Sequence, residues 1–65
     1  MTVSEAERFI GKVVTINLIG NPGRHPDVKV EKIHSSGVVF TDDEDEFFWC
    51  HLDNISSIHV EKAKQ

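Results

Sequence analysis

Cysteine is almost absent from this sequence. Its 65 residues include a single cysteine, Cys50, so no disulfide can form within the chain. Secreted domains of this size usually carry paired cysteines, and no basic segment followed by an apolar stretch marks a secretion signal at the N-terminus. The sequence therefore predicts a cytoplasmic protein.

Long hydrophobic runs are also missing. Apolar stretches such as residues 47–50 are far shorter than the ~20 residues that a membrane-spanning helix needs, and we expect no membrane span. A domain this short buries only ~60% of its unfolded surface. Small domains gain stability from disulfides, a metal or self-association. With disulfides excluded, we expect the chain to associate with itself.

Acidic residues outnumber basic ones, but they are concentrated in one place. The formal net charge is -4, with eleven acidic and seven basic residues. Five acidic residues form the run 42–46, which leaves six acidic against seven basic residues elsewhere. The run predicts a solvated hairpin tip, because like charges repel each other, and it lacks the glycine and spaced ligands of a calcium loop. The overall acidity does not exclude a nucleic-acid partner.

The apolar pattern predicts one short helix followed by five short strands. Ser4 and Glu7 have the capping-box spacing at the start of a helix over residues 3–10. From residue 12 onward apolar residues alternate with polar ones, as in half-buried strands. Ile33 is one position out of phase with Val28, which predicts a bulge near residues 31–32.

Turns between the predicted strands fall at residues 20–23, 35–37 and 42–46, and a single tight or 3₁₀ turn falls at 53–55. Such an order of elements is mainly β and fits a strongly bent, antiparallel, five-stranded SH3-like barrel. We expect one domain, with the helix at about 3–10, the barrel at about 12–61 and a frayed tail at 62–65.

Residues that could carry chemistry are few. The four histidines lack the spacing of a zinc site. Cys50 and His51 are adjacent on a predicted strand and so point to opposite faces, which disfavours a nucleophile and base pair. We therefore expect no metal, no cofactor and no enzymatic activity. Phe47 and Trp49 share the face opposite Phe48, where they are either stacking surfaces for bases or residues of a core or an interface.

Residues 48–58, with the sequence Phe-Trp-Cys-His-Leu-Asp-Asn-Ile-Ser-Ser-Ile, resemble the second Sm motif. Asp53, Asn54 and Ile55 match that motif position by position. The order of elements along nearly the whole chain is similar to the Sm, LSm and Hfq proteins, which include short divergent members in phages. Two features depart from the family: His51 and Leu52 replace its Arg-Gly pair, and residues 34–37 lack the Asp and Asn of its first motif.

This resemblance implies a homo-oligomeric ring in which the fourth strand of one subunit pairs with the fifth strand of the next. The candidate interface residues are Phe47, Trp49, Ile58 and Val60. It also implies binding of single-stranded RNA, with candidate contacts at His51, Asp53 and Asn54 and basic help from Lys29, Lys32 and Arg24. An alternative from another class is an SH3-like protein-interaction or scaffold module whose acidic hairpin, residues 42–46, contacts a basic protein.

Overall fold

Five antiparallel strands form one open sheet in the computed structural model, which describes residues 1–20 and 23–60. A short helix, α1 (Val3–Glu7), precedes the strands. These are β1 (Val13–Leu18), β2 (Arg24–His34), β3 (Gly37–Thr41), β4 (Phe47–His51) and β5 (Ile55–Val60), with a 3₁₀ turn (Leu52–Asn54) before the last. The strand order in the sheet is β4-β3-β2-β1-β5. The prediction of a mainly β chain with an N-terminal helix is confirmed. Part of the predicted turn (Asn21 and Pro22), the predicted end of the barrel at residue 61 and the predicted tail at 62–65 lie outside the described residues.

The helix is shorter than predicted and is capped by a different residue. Thr2, not Ser4, is the N-cap, because its hydroxyl accepts the Glu5 N–H at 3.2 Å while Glu5 Oε1 accepts the Thr2 N–H at 2.9 Å. The α-helix ends at Glu7 rather than at residue 10. The chain then joins the sheet, where Ile10 forms a bridge with Val30. Pairing with β2 therefore stops the helix early.

Strand β2 bends at two bulges. Val30 lies opposite Phe40 and Lys32 lies opposite Val39, so Glu31 is one extra residue on β2. This confirms the bulge predicted from the phase of Ile33. A second shift opposite Thr15 contains Asp27, whose φ of 56° is in the left-handed region. Bulges of this kind increase the local twist and bend a sheet.

One face of the sheet, here called the inner face, holds the core. Phe40, Ile16, Val14, Val30 and Val38 are its largest fully buried side chains. Leu52 is also buried, although it is the first residue of the 3₁₀ turn and not the last of a strand. The turn begins one residue earlier than predicted because the Leu52 N–H donates to the Ser36 carbonyl at 2.9 Å.

Candidate nucleic-acid interface

The outer face of β2, β3 and β4, opposite the core, carries an ordered pattern of side chains. Directly paired residues of neighbouring antiparallel strands point to the same face. Three rows therefore cross these strands, starting next to the acidic loop: Lys29 with Thr41 and Phe47, Lys32 with Val39 and Trp49, and His34 with Gly37 and His51. In each row β2 supplies a lysine or histidine, β3 a smaller residue and β4 an aromatic ring. We call this area the three-row surface.

Trp49 is half exposed, at 49%, and its indole is held in place. Its Nε1–H donates to the His34 carbonyl oxygen at 2.9 Å. The ring packs against Gly37, where a Cβ would overlap the indole. Both contacts draw the ring toward β3 and β2 and away from the free edge of β4. Trp49 is therefore not part of the core of this chain, while base stacking and a place in a subunit interface both stay predictions.

The His51 side chain is held by a hydrogen bond from the 3₁₀ turn that follows it. Its Nδ1 accepts the backbone N–H of Asp53 at 3.0 Å, and a carboxylate oxygen of Asp53 lies 3.8 Å from the same nitrogen. In the neutral ring the proton is then on Nε2, which becomes a hydrogen-bond donor. The His51 ring meets Trp49 edge to face, with 5.9 Å between the ring centroids. The two rings form one ordered aromatic corner.

The remaining predicted RNA contacts do not all gather at this corner. Asn54 is exposed, and its backbone carbonyl accepts the Ile19 N–H at 2.8 Å, which ties the turn to the end of β1. Arg24 lies opposite Asn17 on β1, at the far end of β2 from His34. The structure thus brings Lys32 and His51 onto neighbouring rows and leaves Arg24 on a separate part of the sheet.

The predicted interface residues also fall into two groups. Phe47 is 71% exposed and Val60 is 49% exposed, and they lie on β4 and β5, the two outermost strands. Ile58 is only 8% exposed and belongs to the core of the single chain. Most of its surface is therefore already used within one subunit.

Acidic groups border one end of the three-row surface. Glu31 accepts a hydrogen bond from the Thr41 hydroxyl at 2.9 Å. The acidic loop follows Thr41 directly and is ordered by Asp42, whose Oδ1 accepts the backbone N–H groups of Glu44 and Glu46 at 2.9 and 3.0 Å. As predicted, residues 43–46 of this run are exposed. Acidic residues are therefore most numerous beside the Lys29 row, while the His34 row has Asp53 next to His51.

Cys50 and His51 point to opposite faces, as expected, because Cys50 pairs with Val38 on the inner face. Burial raises the pKa of the Cys50 thiol, which keeps it protonated and weakly nucleophilic. Across residues 1–20 and 23–60, no three His, Cys, Asp or Glu residues come together in a way that could hold a metal ion. Over the same stretch, no helix has the length and apolar character to cross a membrane.

Sequence analysis did not identify two residues of this site, Gly37 and His34, which contact the Trp49 ring and hold it in place. A signal existed. If the acidic run is the hairpin tip, Thr41 pairs with Phe47, and counting back along both strands places Gly37 opposite His51 and beside Trp49. The carbonyl of His34 carries no such signal, because any residue type offers one.

Comparisons with protein-family models, with curated proteins and with solved structures give no match to this chain.

Proposed function

We propose that this chain is a non-catalytic subunit of a homo-oligomeric Sm-like ring that binds single-stranded RNA. The observation that carries the proposal is the pair of unprotected sheet edges. Among the described residues, β4 has only β3 as a neighbour and β5 has only β1. Natural edge strands usually carry lysine, proline or inward-pointing charges that prevent pairing. Neither Phe47–His51 nor Ile55–Val60 contains a lysine, proline or carboxylate.

Two different open edges on one chain favour head-to-tail assembly. When β4 of one subunit pairs with β5 of the next, each subunit uses both edges once, and a rotation that closes leaves none exposed. The exposed Phe47 and Val60 side chains would be covered in the same step. Such a bent five-stranded sheet with an N-terminal helix fits the barrel of the Sm-like fold.

The oligomer is tested by the native mass, measured by light scattering after size exclusion at micromolar concentration and two salt levels. We expect one discrete multiple of the 7.4 kDa chain. Val60→Lys, which places a charge on the β5 edge, should yield the monomer. Ile19→Lys is the matched control, because Ile19 is 66% exposed and lies outside every strand. A wild-type protein that remains monomeric would remove the ring.

RNA binding is supported by exposed lysines on the same face as His51. Lys29 and Lys32 can neutralise phosphates, while Asp53 and Asn54 are exposed at the turn that resembles the second Sm motif. Affinity for an oligouridine should fall as salt rises, because phosphate contacts release counterions. The test is fluorescence anisotropy with a labelled oligouridine and a labelled oligoadenine at several salt concentrations. Failure to bind either at low salt would remove the RNA proposal and leave the ring intact.

A second candidate function is supported by the ordered acidic loop. Because Asp42 holds the loop backbone, the four following carboxylates are displayed at a fixed position on the surface. Such a loop suits a basic protein partner, as in an SH3-like scaffold module. Replacing residues 42–46 by their amides should abolish capture of that partner and leave RNA affinity unimproved. Unchanged capture would argue against this function.

A further inference from the structure

The three-row surface differs from an ordinary exposed sheet face in the order of its columns. On β2 the column is Lys29, Lys32 and His34, on β3 it is Thr41, Val39 and Gly37, and on β4 it is Phe47, Trp49 and His51. Basic groups thus follow one side of a shallow strip of smaller residues, and aromatic rings follow the other. Three acidic groups adjoin it: Asp53, with a carboxylate oxygen 3.8 Å from His51 Nδ1, Glu31, which accepts a hydrogen bond from Thr41, and the acidic loop beyond the Lys29 row.

The spacing of side chains on the three-row surface favours an extended nucleotide chain over a stacked one. Strands are ~4.8 Å apart, so the β2 and β4 columns are ~10 Å apart. Alternate residues along a strand rise ~6.8 Å, about twice the ~3.4 Å between stacked nucleotides of a duplex strand. Consecutive rings on β4 are therefore too far apart to fit stacked bases. They suit an extended strand whose bases are separated from one another.

Trp49 is ready to stack on a base without rearrangement. Its N–H is already bonded to His34 and its ring is braced by Gly37, so little side-chain freedom remains to be lost on binding. About half of the Trp49 surface remains exposed to solvent. The His51 ring adjoins it, and because its Nδ1 accepts the Asp53 N–H, Nε2 is the ring nitrogen that can donate. A π-face beside a directed donor recognises an unpaired base.

We infer that single-stranded nucleic acid runs across the three-row surface, with a base stacked on the Trp49 indole and phosphates along Lys32 and Lys29. This inference rests on the proposed RNA-binding function and locates it on the sheet rather than at the turn formed by Asp53 and Asn54. The exposed Lys29 and Lys32 favour a polyanion over a proline-rich peptide, the other ligand that aromatic surfaces commonly accept. Repulsion from the acidic loop should weaken the phosphate contact at Lys29, whose row borders that loop, relative to the contact at Lys32.

The chain offers a direct readout, because Trp49 is its only tryptophan. Stacking of a base on the indole quenches its fluorescence, so titration of the wild-type protein with unlabelled oligouridine and oligoadenine should quench emission with the same midpoint as the anisotropy titration. Bound RNA with unchanged tryptophan emission would overturn the inference while the RNA-binding function stands. Quenching by a proline-rich peptide, with none by either oligonucleotide, would also overturn it.

Substitutions separate stacking from packing. Trp49→Leu removes the π-face and should weaken RNA binding about ten-fold or more, whereas Trp49→Phe should keep most of the affinity. Lys32→Gln should weaken binding and reduce its dependence on salt. Arg8→Gln is the matched control, because it removes one exposed positive charge from the end of α1.

The native mass of each variant is measured alongside RNA affinity. A Trp49→Leu protein that retains its oligomeric state and loses RNA supports the inference. A Trp49→Leu protein that binds RNA as wild type does, or that becomes monomeric, overturns it, because Trp49 is then dispensable or belongs to the subunit interface. If only Asn54→Ala abolishes binding, the turn is the site and the sheet surface is not.

Discussion

Strands β3 and β4 are joined by one acidic loop and paired residue for residue, yet their surroundings are opposite. On the inner face Phe40 of β3 is fully buried while its partner Phe48 on β4 is 38% exposed, and on the outer face Thr41 is buried while its partner Phe47 is 71% exposed. Both strands are strongly apolar, so composition does not explain the difference. Their positions in the sheet do, because β3 is flanked by two strands and β4 by one. Aromatic residues on the outermost strand form a surface where those on the inner strand form a core.

The largest expected effect separates these two strands. Phe40→Ala removes a fully buried ring and should lower the free energy of unfolding by about 3–5 kcal/mol, whereas Phe47→Ala should change the stability of the monomer by about 0.5 kcal/mol or less. Urea titrations at two protein concentrations measure both. If Phe40→Ala does not fold, Phe40→Leu should still lose more than Phe47→Ala. Equal losses at both sites, independent of concentration, would contradict the comparison.

The contact between the strands is tested at Gly37. A Cβ at this position overlaps the Trp49 indole, so Gly37→Ala should displace the ring and destabilise the protein by about 1–3 kcal/mol, as overpacking does. In a Trp49→Ala background the same substitution should be nearly neutral. The double-mutant cycle, measured by thermal unfolding, should give a coupling energy of at least about 0.5 kcal/mol. Additive losses would mean that Gly37 is needed for its backbone and not for the indole.

The effect of intermediate size concerns the turn that leads into β3. Ser35 and Ser36 have φ values of 51° and 61°, a region that L-residues other than Asn and Asp rarely occupy and that two-residue hairpins fill with Asn-Gly. Replacing the pair by Asn-Gly should stabilise the protein by about 0.5–1 kcal/mol. Thermal unfolding measures the gain. A loss would show that the serine side chains themselves contribute contacts.

How much of the structure could be predicted depended on whether a feature was local. The bulge at Glu31 was predictable, because the phase of Ile33 against Val28 is visible in the sequence. The N-cap was ambiguous, because Thr2 with Glu5 and Ser4 with Glu7 have the same capping-box spacing. The spacing alone does not distinguish the two candidates, and in the structure Thr2 is the N-cap.

The candidate site was predictable in its residue types and not in its arrangement. His51 and Lys32 were identified from sequence, but their approach across β3 depends on the register of three strands. The exposure of Trp49 depends on the strand order, since side chains of an inner strand are flanked on both sides, as those of its partner Val39 on β3 are, and Val39 is less exposed. Neither property can be read from periodicity, which reports which residues share a face and not which strands are adjacent.

The smallest expected effect lies in α1, away from both strands. The backbone N–H of Thr2, and then its hydroxyl, lower the pKa of Glu5 below its ordinary value of 4.5. A carboxylate with a lowered folded-state pKa stabilises the protein above its unfolded pKa, and this contribution is lost as the pH falls through the folded pKa. Glu5→Gln should therefore lower the melting temperature slightly near neutral pH and by less in acid, below the ordinary pKa. Glu7→Gln removes the same charge outside the capping box, and an identical pH profile for the two variants would mean that helix charge, and not the cap, controls this end of the fold.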